Sequence, residues 1–244
     1  MDITELLRKY DKSGKVNYDH LLKEAIKSWS KDNIRPRILM HSCCAPCSTV
    51  MMSDMVSYAD VTVYFSNSNI YPRSEYERRA LVQKKFVEDF NRATGNSVGF
   101  IEAEYKPNKF VEMVKEGNLE FEKEGGARCS ACFDMRLNDV ALYAQEHGFD
   151  YFGSALTLSP HKNSSVINSI GFEVQKLYTT QYLPSDFKKN NGYRRSVEMC
   201  KTYDVYRQCY CGCIFAAKDQ GVDLKSINKE ASEFVKKNKE CGKL

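Results

Sequence analysis

Ten cysteines in a chain of 244 residues fall almost entirely into three short patches, and this grouping limits the chain more than any other feature. Cys43, Cys44 and Cys47 form the first patch, Cys129 and Cys132 the second, and Cys209, Cys211 and Cys213 the third; Cys200 lies a little upstream of the third and Cys241 in the tail. The N-terminus, with Asp2 and Glu5 flanking Leu6 and Leu7, lacks the basic-then-apolar pattern of a secretory leader. No stretch reaches the apolar length that spans a bilayer, so a cytoplasmic protein without a membrane partner is expected. In a reducing compartment clustered thiols point to metal binding or redox chemistry rather than to a disulfide scaffold. A net charge of +4 permits a polyanionic partner without identifying one.

With 42% hydrophobic and 28% charged positions, the chain can bury one sizeable core. Leu21, Leu22, Ala25, Ile26 and Trp29 share one helical face, which predicts a helical lead-in over residues 1–35. Ile38-Leu39-Met40 and Val61-Thr62-Val63-Tyr64-Phe65 read as buried strands opening into polar loops. Val82, Phe86, Val87, Phe90 and Ala93 make a helical stripe over Glu75 to Thr94, closed by Gly95. Phe133, Leu137, Val140, Ala141 and Ala144 make another over Ser130 to His147, closed by Gly148. Val98 to Ala103 and Tyr151 to Leu158 predict two more strands, and Lys109 to Lys115 a short helix. Strands alternating with helices predict an α/β fold with a parallel, doubly wound sheet, whose site forms in loops after the carboxyl ends of the strands. The expected organisation is the lead-in, one α/β domain over residues 36–220 that ends in a cysteine-bearing extension, and a polar, lysine-rich tail over residues 221–244.

The first patch follows the first predicted strand directly, and Pro46 stiffens the backbone that presents its thiols. Neighbouring side chains diverge in regular structure, so Cys43 and Cys44 can share one centre only in irregular backbone. The second patch is a C-x-x-C that opens a helix, where free N–H groups and the positive dipole end lower thiol pKa values and offset the charge of a thiolate-bound metal centre. Together the two patches offer four or five soft ligands for an iron–sulfur cluster or for zinc. In the third patch, Gly212 lets Cys211 and Cys213 reach each other. A disulfide closing so small a ring is strained and easily reduced, which suits repeated cycling; two further metal ligands or two inert thiols are the alternatives.

These patches and three further motifs resemble the cobalamin-independent epoxyqueuosine reductases, the QueH family. The resemblance rests on H-x-C-C-A-P-C at His41 to Cys47, A-R-C-x-x-C-x-x-x-R-L at Ala127 to Leu137, S-P-H-K at Ser159 to Lys162, N-G-Y-x-R-S at Asn191 to Ser196 and Y-R-Q-x-Y-C-G-C at Tyr206 to Cys213. It implies a Rossmann-like fold of the HUP type and an oxidoreductase that removes the epoxide oxygen of epoxyqueuosine at a tRNA wobble position, the last step of queuosine biosynthesis. It also implies a [4Fe-4S] cluster on Cys43, Cys44, Cys129 and Cys132, a redox-active disulfide between Cys211 and Cys213, and a second iron or other metal beside the cluster. For that second metal Cys47 is the nearest soft candidate and Asp134 a weaker one. The asparagine-rich loop, Asn67-Ser68-Asn69-Ile70-Tyr71-Pro72, departs from the family's pattern in having no proline after its first asparagine. Epoxide removal consumes two electrons and two protons, and the expected division of labour has a metal polarise the oxygen while the dithiol supplies electrons. An external donor, not identified by the sequence, must then reduce the disulfide.

Around these motifs, His41, His161 and Lys162 are candidates for proton or hydrogen-bond donation, with a structural role as the alternative for each histidine. Arg194, Arg195 and Arg207, with Tyr193, Tyr206 and Tyr210, form a basic and aromatic stretch suited to an unpaired anticodon base and its phosphates, although such pairs are also ordinary surface. Two rival readings remain. An iron–sulfur-dependent tRNA thiolase fits the sheet and the cysteines, but the S-G-G-x-D-S phosphate loop of an ATP-using thiolase is missing after the first strand. A zinc-ribbon-like nucleic-acid module accounts poorly for the adjacent Cys43-Cys44 pair and the separate C-G-C.

Overall fold

Short runs of β-branched, aromatic and long apolar residues build the centre of the computed structural model, which describes residues 3–10 and 16–240. Strands β1 (Arg37–His41), β2 (Asp60–Phe65), β3 (Gly99–Glu102), β4 (Tyr151–Ser154) and β5 (Gln181–Leu183) pair in the order β3-β2-β1-β4-β5. All four pairings are parallel, with Ile38 of β1 opposite Val61 on one side and Tyr151 on the other. Ile38, Leu39 and Met40 are fully buried because helices cover both faces, as a parallel sheet requires. The chain winds outward from β1 through β2 to β3, then returns to β4 on β1's other side, so the order reverses between β1 and β4. Ligands of doubly wound sheets bind in the crevice at such a point.

Helices α1 (Ile3–Tyr10) and α2 (Tyr18–Lys31) precede the sheet, and the apolar stripe of α2 packs inward through Leu21, Leu22, Ala25 and Trp29. Between strands run α3 (Ala45–Met55), α4 (Arg73–Thr94), α5 (Pro107–Glu116), α6 (Ala127–Glu146) and α7 (Ser164–Gln175). After β5 come α8 (Gly192–Thr202), α9 (Ile214–Asp219) and α10 (Leu224–Glu240). Gly95 ends α4 in the left-handed conformation, at φ +71°, as its position predicts. α10 lies along α4, burying Ala231 and Val235 and bringing Phe234 5.3 Å beneath the guanidinium of Arg78.

The sheet and its parallel winding follow the sequence-based expectation, and three details differ. The strand expected over Tyr151 to Leu158 stops at Ser154, whose hydroxyl accepts from the Leu156 N–H at 3.2 Å and turns Ala155–Leu158 into one tight helical turn. β5 has only three residues, too few to show a period. Cys43 and Cys44 lie in irregular backbone as expected, but α3 begins directly after them at Ala45 instead of a polar loop, and α3 escapes a periodicity reading because nine of its residues are buried around its whole circumference.

A cysteine-rich site at the sheet's switch point

The first patch lies where β1 ends. Ser42 still donates its N–H to Tyr64 O at 2.9 Å, Cys44 is extended at φ −175° and ψ 157°, and Pro46 occupies the first turn of α3. This abrupt change from strand to helix turns two adjacent side chains to the same side. Cys43 and Cys44 Sγ lie 3.5 Å apart, Cys43 and Cys47 3.4 Å, and Cys44 and Cys47 3.2 Å, all buried. Gln208 Nε2 donates to Cys44 Sγ at 2.9 Å. Hydrogen bonding with Cys44 and Cys47, helped by the charges of Lys162 and Arg136, holds the Cys43 thiol well below its ordinary pKa. Burial pushes Cys44 up to about 12. The hydrogen bonds to Cys43 and Cys44 also raise Cys47.

The second patch opens α6 as expected, with Gly125 N–H donating to Cys129 Sγ at 3.1 Å. Burial outweighs the helix end, however, and raises the pKa of both Cys129 and Cys132 instead of lowering it. One turn beyond Cys132, the buried Arg136 donates through Nη2 to Cys132 Sγ at 3.2 Å and through Nη1 to Asn67 Oδ1 at 3.3 Å. Burial alone lowers the Arg136 pKa, but sulfur charge on Cys132, Cys211 and Cys43 overcomes it, and the net shift is upward. Lys162 behaves alike: desolvation is outweighed by Cys211, Cys43 and Cys47. These two cations stand between the thiol groups.

The third patch is clamped by α4. Arg79, paired with Glu75 at 2.7 Å in a buried ion pair, donates to Cys211 O at 3.0 Å and Tyr210 O at 3.2 Å. Tyr71 N–H donates to Gly212 O at 2.8 Å, and Tyr206 Oη donates to Glu75 Oε1 at 3.2 Å. Gly212 sits at φ +109°, and a Cβ there would lie 2.8 Å from Ile70 Cγ1, so no other residue serves. Cys129, Cys132, Cys211 and Cys213 thereby line one cavity of about 120 Å³ with Arg136 and Lys162. Cys211 and Cys213 are both free thiols, and burial raises Cys213 to about 11. Among the described residues the tight thiol set holds Cys43, Cys44 and Cys47, with Cys129 and Cys132 on the adjoining cavity.

This arrangement fits an anionic, sulfur-ligated metal centre: the donors are soft, they are buried, and the charge beside them is positive. Residues 38–219 match the family model described as epoxyqueuosine reductase QueH. An epoxyqueuosine reductase QueH of Staphylococcus aureus is 60% identical over 224 residues, 92% of this chain and 93% of that protein. One from Streptococcus pyogenes is 57% identical, covering 96% of this chain and 91% of its own length. One from Thermotoga maritima is 31% identical, covering 79% and 96%. The chain belongs to the QueH family. Among the described residues of this QueH chain no helix is long and apolar enough to cross a membrane.

The remaining candidates occupy three kinds of place. His41 is fully buried; its Nε2 lies 3.0 Å from the Ser66 carbonyl and its Nδ1 3.3 Å from Ser154 Oγ, which fixes Nε2–H as donor and Nδ1 as acceptor. Burial and Arg136 lower its pKa to about 3, so the ring is neutral. His161 and Lys162 line the thiol cavity, whereas Asp134 is exposed on the outside of α6, accepts from Asn138 Nδ2 at 3.2 Å, and stays apart from the thiols. Of the basic and aromatic stretch, Arg194 is paired with Glu198 and Arg195 with Asp54, Tyr210 is buried, and Tyr206 lies 3.5 Å under Arg78. Tyr193 and Arg207 remain at the surface, joined by an Nη2–H to Oη hydrogen bond of 3.2 Å. Arg136, Gln208, Asn67 and Arg79 received no role from the sequence, although Arg136 stands on the apolar face of its helix between Phe133 and Leu137, where a charge needs a reason.

Proposed function

We propose that this chain reduces the epoxide of epoxyqueuosine in tRNA to the alkene of queuosine, working in the cytoplasm where tRNA is modified. The observation that carries this reading is the meeting of all three cysteine patches around Arg136 and Lys162 at the switch point of a QueH chain. It favours a reductase over the thiolase and zinc-module readings, neither of which uses a dithiol beside a metal site.

Cys43, Cys44, Cys129 and Cys132 would hold a [4Fe-4S] cluster. Cys47, packed against Cys43 and Cys44, is better placed than the exposed Asp134 for a second metal. When bound, such a cluster supplies one-electron chemistry. The net reaction breaks both carbon–oxygen bonds of the epoxide, forms a carbon–carbon double bond and releases water, taking up two electrons and two protons. Oxidation of the Cys211 and Cys213 thiols to a disulfide delivers two electrons and two protons, and an external reductant restores the dithiol. Lys162, kept protonated by the neighbouring sulfur charge, holds a proton at Nζ for the leaving oxygen. His161 stands beside it on the cavity wall. His41, buried and neutral, positions the end of β1. Tyr193 and Arg207 offer an exposed ring and guanidinium to the RNA.

The test is anaerobic turnover on tRNA carrying epoxyqueuosine, read by nucleoside mass spectrometry. Conversion to queuosine by a brown, iron-containing protein is expected. Full activity in colourless, iron-free protein would remove the cluster from the proposal. Multiple turnovers by a Cys211→Ser, Cys213→Ser double variant would remove the dithiol.

A further inference from the structure

A second cavity of about 380 Å³ opens beside the thiol cavity and shares the side chain of Phe110 with it. That volume lies in the range of small-molecule sites. Its wall includes the loop between β2 and α4, where Asn69 is 2% exposed and neither its amide nitrogen nor its amide oxygen has a hydrogen-bond partner. The neighbouring Asn67 differs: its Nδ2 donates to Ser42 O at 2.9 Å and its Oδ1 accepts from Arg136 at 3.3 Å. A buried amide left unpaired opposes folding, so its presence calls for a reason outside the folded chain's own bonding. The rest of the wall is suited to a flat, polar ring. Tyr71 is 45% exposed, and Tyr105 is fixed by its hydroxyl to Ile70 O at 2.7 Å and stacked on Tyr76 at 4.2 Å. The exposed Arg73 stands at the same wall. The Tyr71 N–H to Gly212 O bond seats the C-G-C turn directly against this loop.

We infer that this second cavity takes the heterocyclic base of the substrate nucleotide and that Asn69, whose buried amide turns toward the cavity on binding, pairs with the base's cyclic amide edge. Nδ2 donates to the ring carbonyl and Oδ1 accepts from the ring N–H, the complementary pattern that a primary amide offers. Tyr71 supplies a stacking face, and Arg73, whose Nε donates to Glu77 Oε1 at 3.0 Å, supplies its terminal N–H groups for a flanking phosphate. The epoxide-bearing ring is joined to the base by a short arm, so a base held here directs that ring toward Phe110 and the thiol cavity beyond it. This inference rests on the epoxyqueuosine reading and adds where the base is held and by what.

Asn69→Leu and Asn69→Asp in the anaerobically purified enzyme test it, using thermal unfolding, equilibrium binding of queuosine-containing tRNA and steady-state kinetics on epoxyqueuosine-containing tRNA. The melting temperature of Asn69→Leu should equal or exceed that of the wild type, because the variant removes an unpaired amide. Its Kd and KM should rise by roughly tenfold or more, with a smaller effect on kcat. Asn69→Asp, which replaces the donor with an acceptor, should bind as poorly. Unchanged Kd and KM in Asn69→Leu, or a lower melting temperature with wild-type KM, would overturn the inference by making the amide structural or idle. If wild-type enzyme bound queuosine-containing tRNA through Asn69 but converted no epoxyqueuosine, the subsite would stand and the reductase reading would fall.

Discussion

Arg136 Nη2 lies 3.2 Å from Cys132 Sγ, and among the described residues no carboxylate forms an ion pair with that guanidinium. A buried cation without an anionic partner is expensive in free energy, so its counter-charge here is sulfur. Arg136→Met should therefore leave the metal-free protein about as stable as the wild type, since it removes a buried charge that no carboxylate balances, while iron retained after anaerobic reconstitution drops severalfold. Arg136→Lys should recover part of that iron. Iron content equal to wild type in Arg136→Met would show that the guanidinium does not balance the centre.

The contact of Cys47 with both Cys43 and Cys44 gives it a testable place. Cys47→Ala should lower metal content while Cys200→Ala leaves it unchanged. Electron paramagnetic resonance separates the two possible losses. A cluster signal that survives with less total metal assigns Cys47 to the second ion, and a vanished signal assigns it to the cluster.

Glu75 and Arg79 form a buried pair whose guanidinium also holds the carbonyls of Tyr210 and Cys211. Arg79→Ala leaves the Glu75 carboxylate buried without its cation and held only by the Tyr206 hydroxyl, which costs about 3–5 kcal/mol. Denaturant titration should show that loss, and Cys213 should alkylate faster as the C-G-C turn comes away from α4. The double variant Glu75→Leu, Arg79→Met should regain much of the stability without restoring the protection of Cys213.

His41 sets an acid limit. Its pKa is near 3 in the fold and 6.5 when unfolded, so between those values the unfolded chain takes up a proton that the native ring refuses. Stability from this group is complete above about pH 6.5 and falls as the pH drops toward 3, by on the order of 5 kcal/mol over the window. Urea unfolding of wild type and His41→Gln between pH 7 and 4 should give curves that converge on acidification, about one proton per molecule apart in slope. Parallel curves would place the acid sensitivity elsewhere.

Much of this architecture is legible from the residues. Apolar stripes placed α2, α4 and α6, and alternating strands and helices placed the sheet and the site after β1, because these elements each show one face to solvent or lie continuously in the core. α3 was hidden for the opposite reason, being buried on every side and so without a polar face to mark its period. The thiols announced themselves by clustering, but their grouping did not. Cys47 belongs with Cys43 and Cys44 through one helical turn, and the pKa of Cys129 and Cys132 is governed by burial that a local reading of the helix end cannot include. The clamp on the third patch depends on contacts between Arg79 and residues far along the chain, and Asn69 is informative only because nothing in the fold satisfies it.

The reach of that clamp bears on how the protein is made. Arg79 grips Tyr210 and Cys211 across separations of 131 and 132 residues, and Gln208 touches Cys44 across 164. A nascent chain that has emerged only as far as α6 already displays five of the site's cysteines without the segment that covers them. Closure waits until residues 208–211 have emerged. Until then Cys44 lacks the amide of Gln208, and the C-G-C turn that Arg79 holds against α4 does not yet exist.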